Sequence, residues 1–187
     1  MQNKLRIIGG VWRSRQLRFT EVPGLRPTPG RVRETLFNWL QMDITGKNCL
    51  DLYAGSGALG FEAASRGAQS VIQVEANAQA CRSLHENRQA LSATQIRIVQ
   101  MDVMQFLAGD AQAYDIVFLD PPFGQSLVPQ TCLWLEQKGW LSPYAKIYLE
   151  TERRFDPVGI PVGWQCLKSK TAGEVAYHLF QRNVFNE

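Results

Sequence analysis

Three carboxylates stand at positions where the chain could do chemistry. Asp51 precedes a glycine loop in C-L-D-L-Y-A-G-S-G-A-L-G (residues 49–60), Glu75 follows 24 residues after it, and Asp120 opens D-P-P-F (120–123). Proline has no N–H to give a ladder and fixes its own φ, so the apolar run 116–119 must stop at Asp120 and hand that carboxylate to a rigid turn. An exocyclic amine on a nucleobase is a poor nucleophile, because its lone pair is delocalised into the ring. Acceptors on both amine protons, here the Asp120 carboxylate and the Pro121 carbonyl, would draw the nitrogen towards tetrahedral geometry and expose that pair. Pro121 and Pro122 hold the acceptors still, and Phe123 offers a ring to stack on a base taken out of its stack. In-line attack on a methyl group then needs alignment and no metal.

The glycine loop suggests where the methyl group would come from. Gly55, Gly57 and Gly60 satisfy G-x-G-x-x-G, the pattern of dinucleotide-binding turns. A pyrophosphate would meet repulsion from Asp51, four positions before Gly55, whereas a cation with an amino group would be welcome. S-adenosylmethionine (AdoMet) has a sulfonium, an α-ammonium and no phosphate. It is expected against Asp51, Tyr53, Ala54, Gly55, Ser56 and Gly57. Glu75 is placed to accept both ribose hydroxyls, a role acids also play in NAD enzymes. Asp102 reads either as a contact to the adenine edge, beside the Val103 backbone, or as the N-cap of a helix over 103–107.

These residues need elements to position them. Strand candidates at 49–52, 70–75, 96–101, 115–120 and 146–151 are separated by helical stretches, including one over 58–65. Such alternation predicts an α/β fold with a parallel, doubly wound sheet. Runs at 164–170 and 175–182 are joined only by T-A-G-E, too short for a parallel crossover, and so predict an antiparallel hairpin at one edge. At the other end of the chain, L-R-I-I, Gly9-Gly10 and an alternating run over 11–19 predict a small β-hairpin with a basic face, closed by the glycine pair. A Pro/Gly loop and a helix over 32–40 lead into the main unit. The expected division is residues 1–30, a hairpin-and-loop arm, and residues 31–187.

Charge is uneven along the chain. Residues 1–33 hold eight basic side chains against Glu21, a net of +7, while the remaining 12 basic and 16 acidic residues give −4. Seven of the eight arm cations are arginine, suited to bidentate phosphate contacts, so the arm is expected to face nucleic acid. Cys49, Cys81, Cys132 and Cys166 make no C-x-x-C pair, and only His85 and His178 accompany them, so buried reduced thiols and no metal are expected. No apolar run approaches the roughly 20 residues of a membrane span, and the charged N-terminus lacks a signal-peptide core. A cytoplasmic protein without membrane association is expected, acting as a monomer.

The chain resembles class I AdoMet-dependent methyltransferases of exocyclic amines, and more narrowly the RsmD family of bacterial 16S rRNA guanine-N2 methyltransferases. The resemblance rests on R-I-I-G-G-x-W-R-x-R from Arg6, G-L-R-P-T from Gly24, R-V-R-E-T-L-F-N-W-L from Arg31, D-x-x-A-G-S-G-A-L-G from Asp51, D-P-P-F, and V-A-Y from Val175. It implies a Rossmann-like sheet and methylation of one guanine in small-subunit rRNA, on the subunit or an assembly intermediate. Asp51, Gly55, Gly57 and Glu75 would then hold AdoMet, residues 120–123 the base, and Arg6, Arg13, Arg15, Arg26, Thr28, Arg31 and Arg33 the RNA. Two positions depart: Ser14 where the family often has glycine, and Gly30 where it often has aspartate. The physics of D-P-P-F alone also admits an adenine-N6 methyltransferase acting on DNA or RNA. An NAD-dependent oxidoreductase and an RNA-binding protein with an inactive cofactor fold are the rivals from other classes.

Overall fold

The computed structural model describes residues 2–20, 22–23, 27–154 and 159–183. In chain order the elements are β1 (Gln2–Arg6), β2 (Gln16–Thr20), α1 (Gly30–Trp39), β3 (Asn48–Leu52), α2 (Ala58–Ser65), β4 (Ser70–Glu75) and α3 (Ala78–Ala90). They continue with β5 (Ile96–Gln100), α4 (Val103–Ala108), β6 (Tyr114–Leu119), α5 (Leu127–Gln137), β7 (Leu141–Glu152), β8 (Trp164–Ala172) and β9 (Val175–Arg182). The seven-stranded sheet has the order β5-β4-β3-β6-β7-β9-β8. Strands β3 to β7 are parallel, and β9 runs antiparallel to both its neighbours. The chain winds outward from β3 to β5, then returns to place β6 beside β3. The crevice at that reversal, at the carboxyl ends of β3 and β6, is where open α/β sheets bind ligands.

Alternate side chains of the central strands go to opposite layers, which is why these strands read as continuous apolar runs. Cys49 and Phe118 pack with Phe37, Phe61 and Leu84 beneath α1, α2 and α3. Leu50, Leu52 and Val117 pack with Leu107, Leu135 and Trp140 beneath α4 and α5. Two strand boundaries differ from expectation. Strand β7 begins at Leu141 rather than near Lys146, because Leu141 pairs with Tyr114 across a register shift that accommodates Pro143. The β8–β9 turn is only Gly173 and Glu174, since Ala172 already pairs with Val175.

The N-terminal hairpin corrects a larger expectation. Its second strand was expected over 11–19, but β2 starts at Gln16 and residues 11–14 form a turn. The glycine pair does not close a hairpin turn; it lets the backbone dock on α2. The Gly10 φ is 76°, and a Cβ there would lie 1.9 Å from the Ser65 carbonyl oxygen. Val11 N–H donates to that oxygen at 2.8 Å, Trp12 N–H donates to Ser65 Oγ at 3.0 Å, and Ser65 Oγ donates to the Gly9 carbonyl at 2.6 Å. Glu62 on α2, fully buried, accepts from Ile8 N–H at 2.9 Å and Gly9 N–H at 2.8 Å. On the other side, the Asn87 amide clasps the Arg18 backbone at both its N–H and its C=O. Ile7 and Leu17 complete the same core as Phe61 and Leu84.

Both sequence departures have local consequences. Ser14 has φ 68°, a left-handed conformation that L side chains adopt at a penalty. Ser14→Gly is therefore expected to stabilise the fold by about 0.5–1 kcal/mol, after the extra chain entropy of glycine is deducted. Urea unfolding would check this; an unchanged or lower midpoint would contradict it. Gly30 leaves α1 with no acidic residue in its first turn.

Candidate active site

The carboxyl ends of β3, β4, β6 and β7 surround a cleft of about 810 Å³. Its floor near β4 is Glu75, held by two amides: Gly55 N–H donates to Oε2 at 2.8 Å and Asn77 N–H to Oε1 at 2.7 Å. Each carboxylate oxygen keeps acceptor capacity for a further donor, as two adjacent hydroxyls would require. Tyr53 also lines the cleft, its hydroxyl 3.0 Å from Thr131 Oγ1. Asp102 caps α4 by accepting from Met104 N–H at 2.8 Å and Gln105 N–H at 3.1 Å, and together with Val103 it lines the cleft too.

Asp51 sits deeper than the sequence suggests. With 2% exposure it does not line the cleft, and Ala54, Ser56 and Gly57 are likewise buried behind its surface. Asp51 Oδ2 accepts from Gly60 N–H and from Gln73 Nε2, both at 3.0 Å. A Cβ at position 60 would stand 2.8 Å from that oxygen, so only glycine lets the helix amide approach it. The carboxylate thus pins the glycine loop and lends the cleft its negative field. Burial, reinforced by Glu75, pushes Asp51 up to about 7 against the lowering effect of its two hydrogen bonds. Because the folded state holds this proton more tightly than the unfolded chain, stability is lost as pH rises from about 4 to about 7. Asp51→Asn keeps an acceptor oxygen, so it is expected to fold and to lose that pH dependence. Above the pH at which Asp51 ionises, AdoMet affinity is expected to fall about tenfold, from roughly 1–2 kcal/mol of lost charge attraction. Calorimetric titration and urea melts at several pH values would check both; undiminished AdoMet binding would remove the electrostatic role.

Across the cleft from Glu75, Asp120, Pro121, Pro122 and Phe123 all line the wall, the Phe123 ring 46% exposed. Asp120 follows the last residue of β6 and is raised well above the usual carboxylate range, first by burial and then by the nearby Glu150 and Asp51 charges; a hydrogen bond from Thr28 opposes this. Glu150, 5% exposed on β7, is also raised by burial. The cleft thus presents four carboxylates, Glu75, Asp102, Asp120 and Glu150, and no lysine or arginine among the described residues. That donor set fits a cationic nucleoside such as AdoMet and would repel a pyrophosphate.

The expected RNA-facing residues divide into three groups. Arg6, Arg13, Arg15 and Arg31 have exposed side chains, and Arg15 spares one hydrogen bond for the Ala90 carbonyl at 3.2 Å. Arg26 lies outside the described residues. Arg33 and Thr28 are corrections, each only 5% exposed. The Arg33 guanidinium donates to the Thr28 and Arg6 carbonyls and pairs with Glu62 at 3.5 Å, so it ties the arm to α1 and α2. Thr28 Oγ1 lies 3.5 Å from both Asp120 Oδ2 and Glu150 Oε2, inside the site. Val22, Pro23, Pro27 and Pro29 of the same loop form a wall of the cleft. Sequence reasoning missed Glu150, yet a signal existed: like Asp51, Glu75 and Asp120, it lies at or near the carboxyl end of a parallel strand. The Thr28 position had no comparable signal, because only the docked arm brings it there.

A doubly wound sheet whose switch-point cleft offers a nucleoside carboxylates and, among the described residues, no basic side chain, with D-P-P-F on the facing wall, defines an AdoMet-dependent methyltransferase. Comparisons with known proteins agree. Residues 5–181 match the model of the family described as "Conserved hypothetical protein 95". Ribosomal RNA small subunit methyltransferase D of Escherichia coli K12 is 45% identical over 184 residues, covering 98% of this chain and 93% of that protein. Its Haemophilus influenzae counterpart is 44% identical, covering 96% and 95%. A solved Escherichia coli structure, described as the candidate methyltransferase yhhF, superposes with a TM-score of 0.89 at 45% identity, covering 98% and 100%. The chain belongs to this family, the RsmD family. Among the described residues, no helix is long and apolar enough to cross a membrane.

Proposed function

We propose that this protein transfers a methyl group from AdoMet to the exocyclic N2 amine of one guanine in 16S rRNA. The substrate in this reading is the small ribosomal subunit or an assembly intermediate, and the enzyme works as a cytoplasmic monomer. Residues 1–30 supply the RNA-binding arm and residues 31–187 the catalytic unit. The single observation that carries the chemistry is the placement of Asp120 and Pro121 at the end of β6, in one cleft with Glu75 and Gly55. The relatives' printed names support rRNA of the small subunit as the substrate class.

Bound AdoMet supplies an electrophilic methyl group on a sulfonium. Glu75, fixed by the Gly55 and Asn77 amides, accepts the ribose hydroxyls and sets the nucleoside's orientation. Asp120 and the Pro121 carbonyl accept the two protons of the target amine and turn its lone pair towards the methyl group; the exposed Phe123 ring stacks on the base. Asp120 then stabilises the cationic amine and is the nearest base for its proton. Exposed Arg6, Arg13, Arg15 and Arg31 hold the RNA backbone, and RNA affinity should fall steeply as salt rises.

The test is to incubate the protein and tritiated AdoMet with undermethylated small subunits, digest the RNA and identify the labelled nucleoside. Label in N2-methylguanosine supports the proposal. Label in N6-methyladenosine keeps the amine chemistry and overturns the substrate.

A further inference from the structure

Glu150 has chemistry that the transfer reaction as described does not use. It is 5% exposed, and it lines both the main cleft and an adjoining cavity of about 360 Å³ behind Pro121 and Phe123. Its Oε2 accepts from the Tyr148 hydroxyl at 3.0 Å and lies 3.5 Å from Thr28 Oγ1. The same Thr28 oxygen lies 3.5 Å from Asp120 Oδ2, and its one proton can serve only one carboxylate at a time. Glu150 Oε1 takes no hydrogen bond from any described residue. An oxygen without a described donor, on a carboxylate that lines the cleft, is open to a donor from a ligand.

Guanine and adenine differ on the edge next to the amine. Guanine carries an N1–H donor beside its N2 amine, so a donor pair meets the Asp120 and Glu150 acceptors. Adenine carries a bare N1 lone pair beside its N6 amine, which would face the Glu150 oxygen lone pair to lone pair. We propose that Glu150 accepts the N1–H of the target guanine while Asp120 and the Pro121 carbonyl hold its N2 amine, and that this contact selects guanine over adenine. The inference rests on the guanine-N2 reading above and supplies the ring selectivity that D-P-P-F lacks. Burial raises both carboxyl groups and the Glu150 charge raises Asp120 further, and two donors on one base relieve that repulsion together. Thr28 and Tyr148 act as positioning residues that hold the Glu150 carboxylate at the cleft wall.

The experiment uses small subunits reconstituted with 16S rRNA that carries guanine, 2-aminopurine or 6-thioguanine at the nucleotide labelled by the wild-type protein. All three keep the N2 amine. 2-Aminopurine loses N1–H, and 6-thioguanine keeps it while weakening the acceptor at position 6. Wild-type kcat/KM is expected to fall about 100-fold or more for 2-aminopurine, because a buried acceptor is left unpaired, and to stay within about tenfold for 6-thioguanine. Glu150→Gln, whose amide can donate to a bare N1, should lower the guanine rate and shrink the guanine to 2-aminopurine ratio below about tenfold. A merely structural Glu150 would lower all three rates and leave that ratio unchanged, which overturns the inference. Equal wild-type rates on guanine and 2-aminopurine overturn it without any variant. Wild-type label on adenosine rather than guanosine would instead bring down the guanine-N2 reading itself.

Discussion

Asp120→Ala is expected to lower the methyl-transfer rate by about 10²–10³-fold while AdoMet affinity stays within about threefold, since a preorganised acceptor acts on the reacting amine. The separation follows from the geometry. Asp120 lies on the β6 wall, whereas Glu75 and the Gly55 amide, which set the nucleoside end, lie on the β3–β4 side and do not contact it. Single-turnover rates and equilibrium AdoMet titration would check the two halves separately. A large loss of AdoMet binding would mean that Asp120 acts on the cofactor rather than the base.

The same residue predicts a pH profile. Burial and the Glu150 and Asp51 charges raise Asp120, so it remains protonated to a higher pH than an ordinary carboxylate. Only the ionised form is a full acceptor for the amine. Activity should therefore rise with pH through a limb above the usual carboxylate range and be lost as pH falls through it. Asp120→Asn, which keeps one acceptor oxygen, should retain more activity than Asp120→Ala and lack the part of the limb that Asp120 contributes. An unchanged limb in Asp120→Asn would assign the titration to another group, with Glu150 the nearest candidate.

Glu62→Ala should lower stability by about 3–5 kcal/mol, the usual effect of breaking a buried ion pair by removing one partner. At this chain length that corresponds to roughly 6–20 °C in Tm. Glu62 is wholly buried and receives the Ile8 and Gly9 amides, the Arg66 guanidinium at 2.8 Å and the Arg33 guanidinium at 3.5 Å. Its removal strands a buried Arg33, already lowered by burial, and leaves two backbone donors without their acceptor. Glu62→Gln, which keeps the shape and one acceptor oxygen, should be intermediate. Thermal and urea unfolding would decide; a Tm within about 2 °C of wild type would show that Glu62 is not the anchor of the arm.

Much of the site was legible as local pattern. Asp51, Glu75 and Asp120 each end or approach the end of an apolar run, and a parallel strand sends its carboxyl end to the ligand crevice, so their shared edge follows from strand direction alone. Asp102 was left between two roles, and its carboxylate in fact caps α4 while lining the cleft. The depth of Asp51 was not legible, because period-two patterning says which face of a sheet a residue takes and not whether a neighbouring helix seals it. Gly9-Gly10 was read as the closing turn of a hairpin, and Arg33 as a contact to RNA. Their partners, Glu62 and Ser65, lie more than 25 residues away from either, and no local spacing encodes such a contact.

The amino-acid sequence by itself determined the strand and helix alternation, the glycine turn and the proline-locked carboxylate, because hydrophobic period, glycine and proline act over a few neighbouring residues. Only the tertiary structure decided that the basic arm is docked through Glu62, that its proline loop walls the cleft, and that Thr28 stands between Asp120 and Glu150. Those contacts join residues 53 to 122 positions apart. They exist because docking the arm buries Ile7 and Leu17 in a shared core and satisfies backbone donors on a distant helix, a balance set in three dimensions.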